Sequence, residues 1–176
     1  MNDRDPEVLE RWFEGNGWMP FVFQRDVWRA YADGSSGLIH AATGTGKTYA
    51  AWLGPVQAWL AANPEARAQK KRNANAPLQV LWITPLRALA ADTEQALRAP
   101  IEALGIPWTI ESRTGDTAEK VKRAQRERLP SALITTPESL ELLLCRDDQE
   151  TLFETLQCVV VDEWHELMAT DRKSVV

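Results

Sequence analysis

The chain has 176 residues, enough for one domain with a sizeable core, and its 44% hydrophobic and 26% charged residues are ordinary for a globular protein. No apolar run approaches the ~20 residues that span a bilayer, and Met1-Asn2-Asp3-Arg4-Asp5 lacks the basic start and apolar stretch of a secretory leader, so a cytoplasmic protein without a membrane partner is expected. A net charge of −5 excludes a non-specific coat for nucleic acid but leaves room for a local binding groove. Cys145 and Cys158 have no metal spacing and each lies in an apolar run, so both are expected as buried free thiols. The eight tryptophans are expected mainly as core and helix packing.

Asp5 and Pro6 supply an N-cap and a first helical residue for a helix reaching Glu14, and Gly15-Asn16-Gly17 stops it. A second helix is expected over Val22–Ala32, ending at Asp33-Gly34. Strands follow at Gly37–His40, Gln79–Ile83, Ala132–Thr135 and Gln157–Val161, with a further strand at Trp108–Ile110. Their continuous apolar runs suit a parallel sheet covered on both faces. Asn63–Pro77, with Lys70-Lys71-Arg72, reads as a long polar surface loop. The helix after Thr84-Pro85 carries Leu86, Leu89, Leu97, Ile101 and Leu104 at helical spacing, and Pro100 is expected to kink or break it. Asp116 and Glu119 read as the cap and its partner for a helix over Thr117–Arg128. The basic residues of that helix, Lys120, Lys122, Arg123, Arg126 and Arg128, read as a solvated face.

The most informative stretch is Ala41-Ala42-Thr43-Gly44-Thr45-Gly46-Lys47-Thr48, between an expected strand and a helix-forming run from Tyr49 to Leu53. Glycines there let the backbone curl so that N–H groups point at phosphate oxygens, and the helix N-terminus adds positive partial charge. Lys47 would reach the β/γ-phosphates of ATP and Thr48 would offer its hydroxyl to Mg²⁺. The strict phosphate-loop pattern has glycine where Ala41 stands. Asp162-Glu163-Trp164-His165 follows the apolar run Val159-Val160-Val161. Asp162 would face the Mg²⁺, Glu163 would orient or deprotonate the attacking water, and His165 is placed to couple nucleotide state to a neighbouring domain.

Thr84-Pro85 and Thr136-Pro137 each put a capping threonine before a proline at the first helical position. Each leaves free N–H groups at the strand-end edge, a device that grips phosphate; alone, either is plain helix capping. Arg87 and Thr114-Gly115-Asp116 favour the phosphate reading. Gln24 offers a donor and an acceptor suited to an adenine edge, although on spacing alone it reads as a surface helix residue.

Together these residues resemble the first RecA-like motor domain of superfamily 2 helicases, which implies an α/β, three-layer phosphate-loop NTPase fold with a mostly parallel sheet. Ala41–Thr48 looks like motif I, in which alanine is accepted at the first position; Asp162–His165 looks like the DExH form of motif II; Thr84–Ala90 resembles motif Ia. Thr114-Gly115-Asp116-Thr117 and Thr136-Pro137-Glu138-Ser139 resemble the further strand-contacting motifs, and Gln24 fits the adenine-reading glutamine. Asp162–Leu167 is similar to motif II of Lhr-type helicases. Arg11-Trp12-Phe13, Gly17-Trp18, Phe23-Gln24 and Trp82–Arg87 are similar to ligase-associated DEXH-box helicases of bacterial DNA repair.

The resemblance implies the ATP-binding lobe of an ATP-driven translocase on single-stranded nucleic acid, DNA by preference, with 3′-to-5′ polarity. It implies ATP and Mg²⁺ as cofactors, and an ATP-dependent DNA ligase and a metallo-β-lactamase-type nuclease as partners. The expected organisation is residues 1–36 as N-terminal helices with the glutamine motif, 37–170 as the ATP-binding domain, and 171–176 as a non-native tail similar to a translated sequencing adapter. Motif III and the second motor domain with its arginines lie outside the sequence, so the chain alone is expected to bind Mg-ATP weakly and neither hydrolyse it fast nor unwind a duplex. A nucleotide-dependent nucleic-acid-binding module without motor activity, and another phosphate-loop NTPase such as a kinase, are the alternatives; the kinase reading lacks an acceptor lid.

Overall fold

The computed structural model describes residues 6–42, 44–67 and 76–170. The order is α1 (Pro6–Gly15), α2 (Val22–Ala32), α3 (Lys47–Ala62), a 3₁₀ turn (Pro64–Arg67), β1 (Val80–Ile83), α4 (Arg87–Ala103), β2 (Ile110–Arg113), α5 (Glu119–Glu127), β3 (Ala132–Thr135), α6 (Pro137–Leu144), α7 (Gln149–Phe153), β4 (Cys158–Val161) and α8 (Trp164–Thr170). They form two compact units, one of residues 1–74 and 96–107, the other of 75–95 and 108–176.

The first unit is organised by aromatics. Trp12 meets Tyr49 edge-on at 5.2 Å between ring centroids and Trp18 at 5.9 Å, and Phe13 lies 5.9 Å from Trp28. The Trp28 indole N–H donates to Tyr49 O (3.0 Å), tying α2 to α3. Trp52 is fully buried and donates to Leu97 O (3.0 Å), giving its one polar atom a partner. Gly54 lets the two helices close up, since a Cβ there would sit 3.1 Å from Tyr31 Cβ. α1 ends as expected: Gly17 has φ +72° and Trp18 N returns to Phe13 O. The Asp5 cap lies outside the described residues.

The second unit contains a four-stranded sheet of order β2-β3-β1-β4, every pair parallel, as the continuous apolar runs require. β1 and β3 are its inner strands and are buried nearly throughout. Leu81 and Leu133 join Leu78, Leu129 and Leu143 in a core that Leu140 of α6 and Leu152 and Phe153 of α7 cover. Ser131 lies fully buried before β3; its hydroxyl donates to Ala76 O (2.6 Å) and accepts from Thr109 N (3.1 Å).

Several expectations are corrected. Residues 37–40 form no strand, and Leu38 is exposed; a strand exists only through its ladder, and this short glycine-led segment has none. β2 begins at Ile110 rather than Trp108, because Thr109 and Ser131 exchange side-chain bonds before the ladder starts. α4 continues through Pro100 to Ala103, and Leu97 and Ile101 on either side are buried. α4 opens at Arg87, so Thr84 and Pro85 are not its cap and first residue. α5 begins at Glu119 with Ala118 as N-cap, so Asp116 does not cap it. Cys145 is exposed and Cys158 only half-buried. Lys70-Lys71-Arg72, Thr43 and residues 171–176 lie outside the described residues.

Candidate functional site

Gly44 and Gly46 both have positive φ (+80° and +83°), the left-handed conformation that the glycine-rich turn was expected to need. Gly46 is the N-cap of α3, and its carbonyl accepts from Ala50 N (3.1 Å). Lys47, the first helical residue, folds its ammonium back over the loop, donating to Ala41 O (2.7 Å) and Ala42 O (3.0 Å). The Thr45 hydroxyl also donates to Ala42 O (2.6 Å). The loop therefore holds a cation over its own mouth at the start of a 16-residue helix, where backbone N–H groups are unpaired. Thr48 follows on the first turn of that helix.

Gln24 is not the surface residue its spacing suggested. It is 2% exposed; its Oε1 accepts from Phe21 N (2.8 Å) and its Nε2 donates to Gly46 O (2.9 Å). A Cβ on Gly46 would approach that Nε2 to 2.6 Å, so glycine is required there for space as well as for conformation. Gln24, Gly46 and Lys47 are thus one assembly, the glutamine bracing the loop from the side of α2.

In the second unit the sheet register aligns the motifs. Arg113, Thr135, Ile83 and Val161 are paired across the four strands as their last residues. Thr114, Thr136, Thr84 and Asp162 therefore emerge side by side at one carboxyl edge, where open α/β sheets bind ligands. Backbone bonds continue the row one step beyond the ladder: Thr84 N donates to Thr135 O (2.9 Å) and Asp162 N to Ile83 O (2.8 Å). The Thr135 hydroxyl donates to Arg113 O (2.9 Å).

Glu163 has φ +46°, the one non-glycine positive φ among the described residues. Its N–H donates to Asp162 Oδ1 (3.0 Å), so the aspartate stabilises the strained turn that aims the glutamate. His165 Nδ1 lies 3.5 Å from Glu163 Oε2, and Nε2 lies 3.5 Å from Glu166 Oε1, placing the ring between two carboxylates on the exposed start of α8.

The two Thr-Pro motifs diverge. Thr136 is the N-cap of α6 with Pro137 at its first position, as expected, although its hydroxyl bonds the Ser139 hydroxyl (3.3 Å) rather than a backbone N–H. Thr84 is completely buried and its hydroxyl has no partner. Arg87 lies exposed at the start of α4, with Nη1 4.0 Å from Asp116 Oδ1 and its guanidinium against Gly115. The Glu138 carboxyl is held below its ordinary value by a backbone N–H, by the Thr136 hydroxyl and by the Arg87 charge, against opposition from partial burial.

Sequence reasoning missed Arg113. Its side chain is buried under α5, where Nη1 donates to Lys122 O (3.2 Å) and Gln125 Oε1 (3.3 Å), and burial first, then the charges of Arg126 and Arg146, lower its pKa. Gln125, an uncharged polar residue in the mostly charged α5 that the structure buries fully, was the available signal.

Residues 21–176 match the family model described as DEAD/DEAH box helicase. The chain is similar to the Lhr helicase of Mycolicibacterium smegmatis, at 37% identity over 175 residues, 94% of this chain and 11% of that protein. The structure of Mycobacterium smegmatis helicase Lhr bound to ssDNA and AMP-PNP matches with a TM-score of 0.69 and 34% identity, covering 94% of this chain and 20% of that one. The structure of the DUF1998 helicase MrfA matches with a TM-score of 0.74 over 94% of this chain and 24% of its own, at 24% identity, a likeness of fold. The chain thus has the RecA-like α/β fold of these helicases and spans a tenth to a quarter of their length.

Proposed function

Because the chain belongs to the DEAD/DEAH box helicase family, we propose that it is the ATP-binding lobe of an ATP-dependent DNA-repair helicase, a translocase on single-stranded DNA with 3′-to-5′ polarity. The observation that carries this reading is the loop between α2 and α3: two left-handed glycines, a lysine held by the carbonyls of Ala41 and Ala42, and a helix N-terminus behind them. In this reading the Lys47 ammonium exchanges its carbonyl partners for phosphate oxygens, and the first N–H groups of α3 bind the same phosphates. Gln24 braces the loop through Gly46; for the adenine-reading role that the sequence resemblance implies, its buried carboxamide has to exchange the partners Phe21 N and Gly46 O for the base.

By the sequence resemblance, Thr48 of the first unit and Asp162 of the second are the residues expected to hold Mg²⁺. A hydroxyl and a carboxylate suit that hard cation, which is ordinarily held by few protein oxygens and by substrate phosphates. When bound, the ion neutralises charge developing on the transferred phosphoryl group. Glu163 orients or deprotonates the attacking water, aimed by its left-handed backbone and the Asp162 carboxylate. In this reading Arg87 and the turns at Thr114-Gly115 and Thr136-Pro137 grip the phosphates of a single strand at the sheet edge without reading its bases, while the fully buried Thr84, with Pro85, shapes the edge behind them. A cytoplasmic repair role beside an ATP-dependent DNA ligase and a metallo-β-lactamase-type nuclease follows from the sequence resemblance.

Titration calorimetry with Mg-ATP tests the reading. Binding is expected for the chain and for Glu163→Gln, and is expected to vanish in Lys47→Ala. Equal affinity in Lys47→Ala and the unsubstituted chain would overturn it.

A further inference from the structure

Arg87 is a long, exposed, rotamer-rich side chain whose guanidinium lies against Gly115. A Cβ built on Gly115 would lie 2.7 Å from Nη1, 2.9 Å from Cζ and 3.2 Å from Nη2, so the planar group lies flat over the bare Cα. The backbone does not demand glycine there: Gly115 is absent from the five glycines with positive φ. What demands it is the space taken by Arg87.

The turn that carries Gly115 is stiff where the arginine is flexible. Thr114 N donates to Thr117 Oγ1 (2.9 Å), Asp116 N to Thr114 Oγ1 (3.2 Å) and the Thr117 hydroxyl to Ser112 O (3.3 Å). Lys122 Nζ donates to Gly115 O itself (3.1 Å). The Asp116 carboxylate stands 4.0 Å from Nη1, and Glu138 feels the same positive charge from α6. Exposed pairs of this kind are weak, and a phosphate, which accepts two parallel bonds from the guanidinium fork, displaces them.

We propose that Gly115 is a positioning residue, its missing side chain forming the seat on which the Arg87 guanidinium lies ready for a phosphate of single-stranded DNA. The proposal rests on the strand-binding reading above. A methyl group at position 115 does not threaten the fold, because it meets only the far end of a mobile side chain; it moves the charge away from the strand.

The test measures binding of the chain to a fluorescent oligothymidylate by anisotropy across a salt series, with thermal melting beside it. Gly115→Ala and Arg87→Ala are each expected to weaken binding about tenfold and to lower the salt slope by about one, with the Gly115→Ala melting temperature unchanged. The double variant is expected to bind like Arg87→Ala alone, and Gly115→Ala in an Arg87→Lys background, which has no planar group to seat, is expected to have no further effect. Wild-type affinity in Gly115→Ala, or losses that add in the double variant, would overturn the seat while leaving the strand reading intact. No binding by the unsubstituted chain, or an undiminished Arg87→Ala, would overturn the strand reading and the seat with it.

Discussion

Gln24 and Gly46, 22 residues apart, are joined by a 2.9 Å hydrogen bond from a buried carboxamide to the carbonyl that also starts α3. The other end of the same carboxamide accepts from Phe21 N, at the entrance to α2. The helix entrance and the phosphate loop therefore move together.

Gln24→Ala leaves Phe21 N without its acceptor at a site that is 2% exposed, and a destabilisation of about 2 kcal/mol is expected from urea denaturation. Gln24→Glu keeps that acceptor but turns a carboxylate toward Gly46 O. It is expected to be at least as destabilising as alanine at neutral pH and to recover as the pH falls and the carboxyl protonates. Equal stability of both variants and the parent would show that the bond contributes nothing.

Glu163 separates activity from stability. A non-glycine residue in the left-handed region costs about 1–2 kcal/mol, and glycine returns part of the relief through its freer unfolded chain. The Glu163 side chain gives up only an exposed pairing with His165 when it is removed. Glu163→Gly is expected to gain about 0.5–1 kcal/mol in denaturant unfolding while losing ATP turnover in a complete enzyme. A clear loss of stability would contradict the strain.

The two thiols are expected to differ. Burial pushes Cys158 up to about 11, whereas Cys145 is exposed. At pH 8 a disulfide reagent should modify Cys145 quickly and Cys158 about a hundredfold more slowly than its ordinary value of 9.0 would allow. Because the folded pKa is the higher one, the stability linked to Cys158 is complete below pH 9.0 and is lost as the pH rises through about 11. Equal labelling rates for the two thiols in the folded chain would refute this.

The sequence made α2 and β3 legible, because an amphipathic run ending at Asp33-Gly34 and an apolar run between turns have one reading each. It also gave Lys47, Asp162 and Glu163 their local settings. The two Thr-Pro pairs show where local reading stops. Identical dipeptides after neighbouring strands behave differently: Pro137 opens α6 at once, while α4 waits until Arg87. Ala90, Leu97 and Ile101 are buried on one stripe of α4, and the phase of that stripe, a tertiary quantity, selects the start of the helix. The burial of Gln24 was invisible for a similar reason, its partner lying in a loop whose position no spacing rule supplies. Cys145 misled because it follows Leu142 and Leu144, which are themselves exposed; the buried face of α6 is Ser139 and Leu143.

β4 is the terminal strand of the sheet among the described residues, and Val159 and Val161 are 52% and 45% exposed along it. Such a strand carries neither the lysine nor the proline with which sheets ordinarily guard their margins. Among the described residues, the same short apolar stretch that precedes Asp162 is thus well suited to recruit a foreign strand.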